Sequence, residues 1–150
     1  MKIEKNFKTF DKLPIKFNFK RFGEGGQRIN NKKLINPLLT IITVVLNGEK
    51  YIENTIRSVL AQKLKNFEYI IIDGGSSDNT VNIIKKYEKK IAYWVSEKDK
   101  GMWDAWNKGY MLANGDYVGI VDSSNILYSN SMNILVKYIK HFSEYDFICG

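Results

Sequence analysis

Downstream of Pro37, apolar runs of strand length alternate with amphipathic stretches of helix length, and no other feature constrains the fold of this chain as tightly. Residues 39–46 form an unbroken apolar, β-branched run, the pattern of a strand buried on both faces. Residues 49–62 then place Ile52, Ile56, Val59 and Leu60 at helical spacing. The same reading predicts strands over 67–72, 91–95 and 117–121, with a further strand over 145–149. Helices are predicted over 78–90, 102–113 and 129–142. Ser76, Ser77 or Asp78 is placed to cap the second helix, and Asn114-Gly115 to stop the third. Strands alternating with helices imply an α/β fold: a mostly parallel sheet with helices on both faces.

Composition narrows the class. With one histidine and one cysteine, a His/Cys zinc site is excluded, so any metal is a hard ion held by oxygens. Cys149 has no partner within the chain, which fits a reducing compartment. No apolar run reaches the roughly 20 residues of a membrane helix, and Met1-Lys2-Ile3-Glu4-Lys5-Asn6 lacks the apolar core of a signal peptide. The expected location is therefore cytoplasmic. The net charge of +7 is concentrated in residues 1–36, which hold ten Lys/Arg and three Asp/Glu. Residues 37–150 hold thirteen of each, so the domain itself carries no basic footprint for nucleic acid.

The boundary is expected near Asn36-Pro37. Ahead of it, Phe7, Phe10, Phe17, Phe19 and Phe22 are interleaved with lysines, residues 15–20 alternate like a short strand or hairpin arm, and Gly23-Glu24-Gly25-Gly26 is expected to break the chain. A basic, aromatic arm of this kind reads as a solvated segment packed on the domain. Its functional alternatives are a peripheral contact of residues 1–22 with anionic lipid or a lipid-phosphate acceptor, and RNA binding.

Polar residues gather where the predicted strands end. Asn47 and Gly48 follow the first strand, Asp73-Gly74-Gly75-Ser76 the second, Glu97, Asp99 and Lys100 the third, and Asp122-Ser123-Ser124-Asn125 the fourth. Each cluster alone reads as a turn or a cap. In an open parallel sheet, however, ligands bind outside the carboxyl ends of the strands, so all four clusters share one edge. A carboxylate there accepts a base N–H or a ribose hydroxyl, glycines admit a ligand close to the backbone, and a second carboxylate can hold Mg²⁺ or Mn²⁺ against a diphosphate. A nucleotide diphosphate is the ligand that combination suits. The turn Leu46-Asn47-Gly48-Glu49-Lys50 has no G-x-G-x-x-G, which disfavours a dinucleotide oxidoreductase, and no P-loop is present.

The ordered motifs resemble family 2 glycosyltransferases of the Rossmann-like GT-A fold, in particular bacterial members that build surface polysaccharides. The resemblance is carried by Leu39-Thr40-Ile41-Ile42-Thr43-Val44-Val45-Leu46-Asn47-Gly48, by Ser58-Val59-Leu60-Ala61-Gln62, by Ile72-Asp73-Gly74-Gly75-Ser76-Ser77-Asp78-Asn79-Thr80, by Ser96-Glu97-Lys98-Asp99-Lys100-Gly101-Met102-Trp103-Asp104-Ala105-Trp106-Asn107-Lys108-Gly109 and by Ala113-Asn114-Gly115-Asp116. Gly25-Gly26-Gln27-Arg28 resembles the lead-in of such members. The resemblance implies a donor-binding half, with Thr43, Val45 and Asn47 lining a base and ribose pocket and Asp73 accepting the N3–H of a uracil-like base. It places Asp99 and Lys100 near the nucleotide or donor sugar. Asp104 and Asn107, at i and i+3, face the cleft, although Asn107 equally suits a bracing hydrogen bond. Trp103 and Trp106 are read as packing residues rather than a sugar platform.

One motif departs from the family. The fourth loop keeps Asp122 as its metal candidate but carries Ser124 and Asn125 where the family is acidic. The resemblance implies transfer from a nucleotide-diphosphate sugar, UDP-linked, to a glycan or lipid-linked acceptor with inversion, the base expected beyond Gly150 and the location at the inner face of the membrane. The alternatives are a non-catalytic nucleotide-binding module with a degenerate metal motif, and an interaction protein acting through its arm.

Overall fold

The computed structural model describes residues 20–29 and 36–141. A five-stranded sheet runs in the order β1-β4-β3-β2-β5, where β1 is Arg21–Gly25, β2 Leu39–Val45, β3 Phe67–Asp73, β4 Tyr93–Glu97 and β5 Tyr117–Ile120. The pairs β2–β3, β3–β4 and β2–β5 are parallel, and β1 joins β4 antiparallel. Helices α1 (Ile52–Leu60), α2 (Thr80–Lys86), α3 (Met102–Leu112) and α4 (Ser131–His141) connect and follow the strands. The expected mostly parallel α/β sheet is what forms. The expected strand over 145–149 and the pattern over 15–19 lie outside the described residues.

The central strand explains its own composition. Every residue of β2 is buried, because the sheet is covered on both faces. Leu39, Ile41 and Val45 enter one core with Ile52, Ile56 and Val59 of α1 and Ile83 and Ile84 of α2. Ile42 and Val44, pointing the other way, meet Ala105 of α3 together with Ile70, Ile72, Tyr93 and Val95. The helix–sheet fit is close at α3: a Cβ on Gly109 would stand 2.5 Å from Ile42 Cγ2. Ile52, Ile56 and Val59 of α1 are all fully buried, each contributing about 1.5–3 kcal/mol of transfer free energy.

The boundaries of α1, α2 and β4 differ from the periodicity by two or more residues. α1 starts at Ile52 rather than 49, because the Tyr51 and Ile52 amides both donate to the Gly48 carbonyl and close a turn first. α2 is confined to Thr80–Lys86, the chain then turning through residues 87–90. β4 is displaced toward its carboxyl end and runs to Glu97, because the polar pair that closes it is satisfied inside the fold: the Ser96 hydroxyl donates to Asp73 and Glu97 pairs with Lys108.

The largest correction concerns Gly23-Glu24-Gly25-Gly26. These residues do not break the chain. Gly23, Glu24 and Gly25 lie in β1 and pair with Ser96, Val95 and Trp94. The glycines are there for a bulky neighbour, since a Cβ on Gly25 would stand 2.5 Å from Nε1 of the buried Trp94 indole. Arg28 then anchors the segment, one guanidinium nitrogen donating to the Leu112 carbonyl at 2.7 Å and another pairing with Glu68. The sheet thus begins upstream of Pro37.

Candidate functional site

Because β2, β3, β4 and β5 run parallel, the turns that follow them meet along one edge, and hydrogen bonds stitch those turns together. After β2, Asn47 adopts φ 51° and its side-chain carbonyl accepts the Ser77 amide at 2.9 Å. Its own amide donates to Ser76 Oγ at 2.7 Å, and the Gly48 amide donates to Thr80 Oγ1 at 2.9 Å. Asp78 accepts the Glu49 amide at 3.1 Å and the Thr80 amide at 3.0 Å. Burial raises the Asp78 pKa, but bonds from the Thr80 hydroxyl and amide and from Glu49 outweigh it and leave the carboxyl below its usual value. On the other side, the Thr55 hydroxyl of α1 reaches the Ser123 and Asn125 carbonyls at 2.7 and 2.8 Å, fixing the loop after β5.

Asp73 sits at the centre of this edge and is fully buried. Its Oδ2 accepts the Gly75 amide at 3.1 Å, the Ser76 amide at 3.0 Å and the Ser96 hydroxyl at 2.6 Å, and its Oδ1 accepts the Ser76 hydroxyl. In this form of the protein the carboxylate builds the turn. The turn demands glycine twice. Gly75 has φ +87°, and Gly74 leaves room for the Asp99 carboxylate, with which any Cβ would collide. Asp99 Oδ1 in turn accepts the Gly101 amide at 2.9 Å, and Asp104 accepts the Lys100 amide at 3.1 Å.

The other expected site residues divide. Asn47 and Lys100 are exposed on the edge and Asp99 is partly exposed there. Thr43 and Val45 are not pocket-lining: both are buried, Val45 in the core under α1, and Thr43 donating to the Val121 carbonyl at 2.8 Å while accepting the Tyr69 hydroxyl at 3.0 Å. The alternation of β2 sends them inward, and burial drives the Tyr69 phenol well above its ordinary pKa. Asp104 turns toward Lys108, whereas Asn107 is exposed. Trp103, expected to pack, is 70% exposed and touches Trp106 edge-on with ring centroids 4.9 Å apart. Lys108 lies outside the expected site residues. It is buried among Glu97, Asp104 and the Lys98 carbonyl, and its spacing of four from Asp104 was the available signal.

The metal expectation fares differently. Asp122 is exposed, as are Ser124 and Asn125, and the described residues contain no group of three or more His, Cys, Asp or Glu able to hold an ion. Octahedral divalent ions of the Mg²⁺ type are held by one or two carboxylates together with substrate phosphates and water, so Asp122 would supply one ligand and diphosphate oxygens and water the rest. A cavity of about 370 Å³ lies at the opposite edge, lined among others by Gln27, Gln62, Lys65, Glu68 and Lys90, away from the strand-end turns.

The sequence profile described as Glycosyl transferase family 2 matches residues 40–150, spanning β2 and every turn of this edge. The chain belongs to glycosyltransferase family 2. An uncharacterized glycosyltransferase of Rickettsia typhi is 33% identical over 117 residues, 77% of this chain and 36% of that protein. TuaG of Bacillus subtilis, provisionally named for teichuronic acid biosynthesis, is 39% identical over 92 residues, 59% of this chain and 36% of that protein. Among solved structures, Staphylococcus aureus TarS 1–349 in complex with UDP-GlcNAc superposes with TM-score 0.63 at 24% identity, over 70% of this chain and 32% of TarS. The mannosyltransferase PcManGT of Pyrobaculum calidifontis, in complex with GDP-Man and Mn²⁺, gives 0.64 at 21% identity, over 70% and 33%. These likenesses show the fold, that of GT-A glycosyltransferases. The chain spans about a third of the length of the curated relatives it matches.

Proposed function

We propose that the edge formed by the turns after β2, β3, β4 and β5 binds a UDP-linked sugar, and that the protein acts in sugar transfer to a glycan or lipid-linked acceptor with inversion. The observation that carries the reading is the Asp73–Ser76 turn, where Gly74 leaves room for the Asp99 carboxylate and Asn47 is tied to Ser76 and Ser77. Family membership and the fold shared with TarS, whose structure holds UDP-GlcNAc, support it. In this reading the base and ribose lie against Asn47 and the Asp73 turn, where a uracil N3–H competes with the amides that Asp73 now accepts. Lys100 offsets diphosphate charge, and Asp99 meets the ribose or the sugar. The chemistry is in-line displacement at the anomeric carbon: the acceptor hydroxyl gives its proton to a general base, its oxygen forms the new bond, and the nucleotide diphosphate leaves with its electron pair. Cytoplasmic residence, with residues 1–22 touching anionic lipid, completes the reading.

Calorimetric titration with UDP, GDP and NAD tests the site: preference for UDP supports it. A second reading has a specific observation behind it. With Ser124 and Asn125 in place of carboxylates, a nucleotide-binding module without transferase activity predicts UDP binding but no turnover of UDP-GlcNAc on any acceptor.

A further inference from the structure

Lys108 is 2% exposed, on the face of α3 that packs against the sheet. An ammonium has three N–H donors and no acceptor, and among the described residues this one faces the following acceptors. Glu97 Oε1 lies at 3.0 Å, the Lys98 carbonyl at 3.0 Å and Asp104 Oδ2 at 3.4 Å. The acceptors come from three places: the end of β4, the loop after it, and the first turn of α3. Glu97 is also approached by Arg21 of β1 at 3.6 Å, so its buried carboxylate is balanced from both sides.

As a stability device this arrangement is poor, because desolvating the ions cancels most of their attraction and an apolar side chain of equal volume would serve. What an apolar side chain cannot do is tie the end of β4 and the start of the loop after it to α3 through one atom. Between the two loop anchor points, Lys98 and Asp104, lie Asp99, Lys100 and Gly101. The loop's other ties are local or at its ends: Asp99 accepts the Gly101 amide and packs against Gly74, the Gly101 carbonyl accepts the Asp104 and Ala105 amides, and Asp104 accepts the Lys100 amide with the same Oδ2 that faces Lys108.

We propose that Lys108 is a positioning residue for the donor site, its ammonium holding residues 98–104 in the shape in which Asp99 and Lys100 receive the diphosphate-sugar portion of a nucleotide sugar. The assignment of that ligand rests on the donor-site reading above; the ordering of the loop does not.

Two variants of the full chain test it, Lys108→Met and the charge-balanced Lys108→Met/Glu97→Gln. The single variant leaves the buried Glu97 with Arg21, at 3.6 Å, as its remaining described counter-charge, and melts well below wild type. The double variant regains most of the melting temperature. Positioning predicts that it nevertheless shows amide exchange over residues 98–104 faster by about tenfold or more, and UDP-GlcNAc affinity lower by about tenfold. A double variant with wild-type exchange in the loop, or with wild-type affinity, overturns the proposal, since Lys108 would then only neutralise Glu97. A wild-type protein that binds no UDP-GlcNAc defeats the donor-site reading instead, and the exchange comparison still decides whether Lys108 orders the loop.

Discussion

The Asp99 carboxylate lies against Cα of Gly74, in space that any side chain at position 74 would fill. Two turns from neighbouring strands are therefore registered by the absence of one methyl group. Gly74→Ala is expected to push Asp99 aside while leaving the sheet intact. Local overpacking of this kind costs about 1–3 kcal/mol. Thermal unfolding should show that modest loss, and UDP binding should weaken by about tenfold. Unchanged affinity would remove Asp99 from the donor site.

The loop after β5 offers a gain-of-function test. It is pinned by Thr55 but presents only one carboxylate, Asp122. Ser124→Asp/Asn125→Asp supplies two more at neighbouring positions, and carboxylate count sets affinity for hard cations. UDP should then bind about tenfold more tightly with Mn²⁺ than with EDTA. Indifference to Mn²⁺ would place this loop away from the diphosphate.

Arg28 and Glu68 fasten the N-terminal segment to the sheet. Glu68 is 2% exposed and also accepts the Thr40 hydroxyl at 2.7 Å and the Asn114 amide at 2.6 Å. Arg28→Met strands that carboxylate and should cost about 3–5 kcal/mol in urea unfolding. Arg28→Met/Glu68→Gln should recover part of the loss. Equal stability of wild type and single variant would show that the segment is not anchored there.

Acid should act on β1 through Glu24. Its carboxyl is held below the usual value first by the Tyr93 hydroxyl, which donates at 2.5 Å, and then by Arg21, against an opposing burial effect. A depressed carboxylate adds stability above its unfolded pKa, near 4.5, and that contribution is lost as pH falls through the lower folded value. Glu24→Gln should therefore be less stable than wild type at neutral pH, with the gap in melting temperature closing below about pH 4. A gap independent of pH would mean that Glu24 acts by packing alone.

The parts of this molecule that sequence made legible are those where one physical signal dominates. The all-apolar β2 and the spacing of Ile52, Ile56 and Val59 are direct images of burial, and both elements form where expected. The gathering of polar turns at one edge follows from parallel strands. Misreadings arose where two demands meet at one residue. Gly23 and Gly25 look like breakers yet serve a strand, because what they accommodate is Trp94, distant in sequence. Thr43 looks like a ligand contact and is an interior hydroxyl, because its partners Val121 and Tyr69 come from other strands or their ends. Lys108 looks like a solvated helix residue and is buried, because the carboxylate that justifies its burial, Glu97, lies eleven positions upstream on β4.

Calorimetric titration of the folded chain with UDP against GDP and NAD asks whether the edge formed by the turns after β2, β3, β4 and β5 is a nucleotide-sugar donor site. A donor site there gives saturable UDP binding, weaker GDP binding and none for NAD, with the UDP isotherm lost in Asp73→Ala. A folded protein that binds no nucleotide, or binds all three alike, would contradict it.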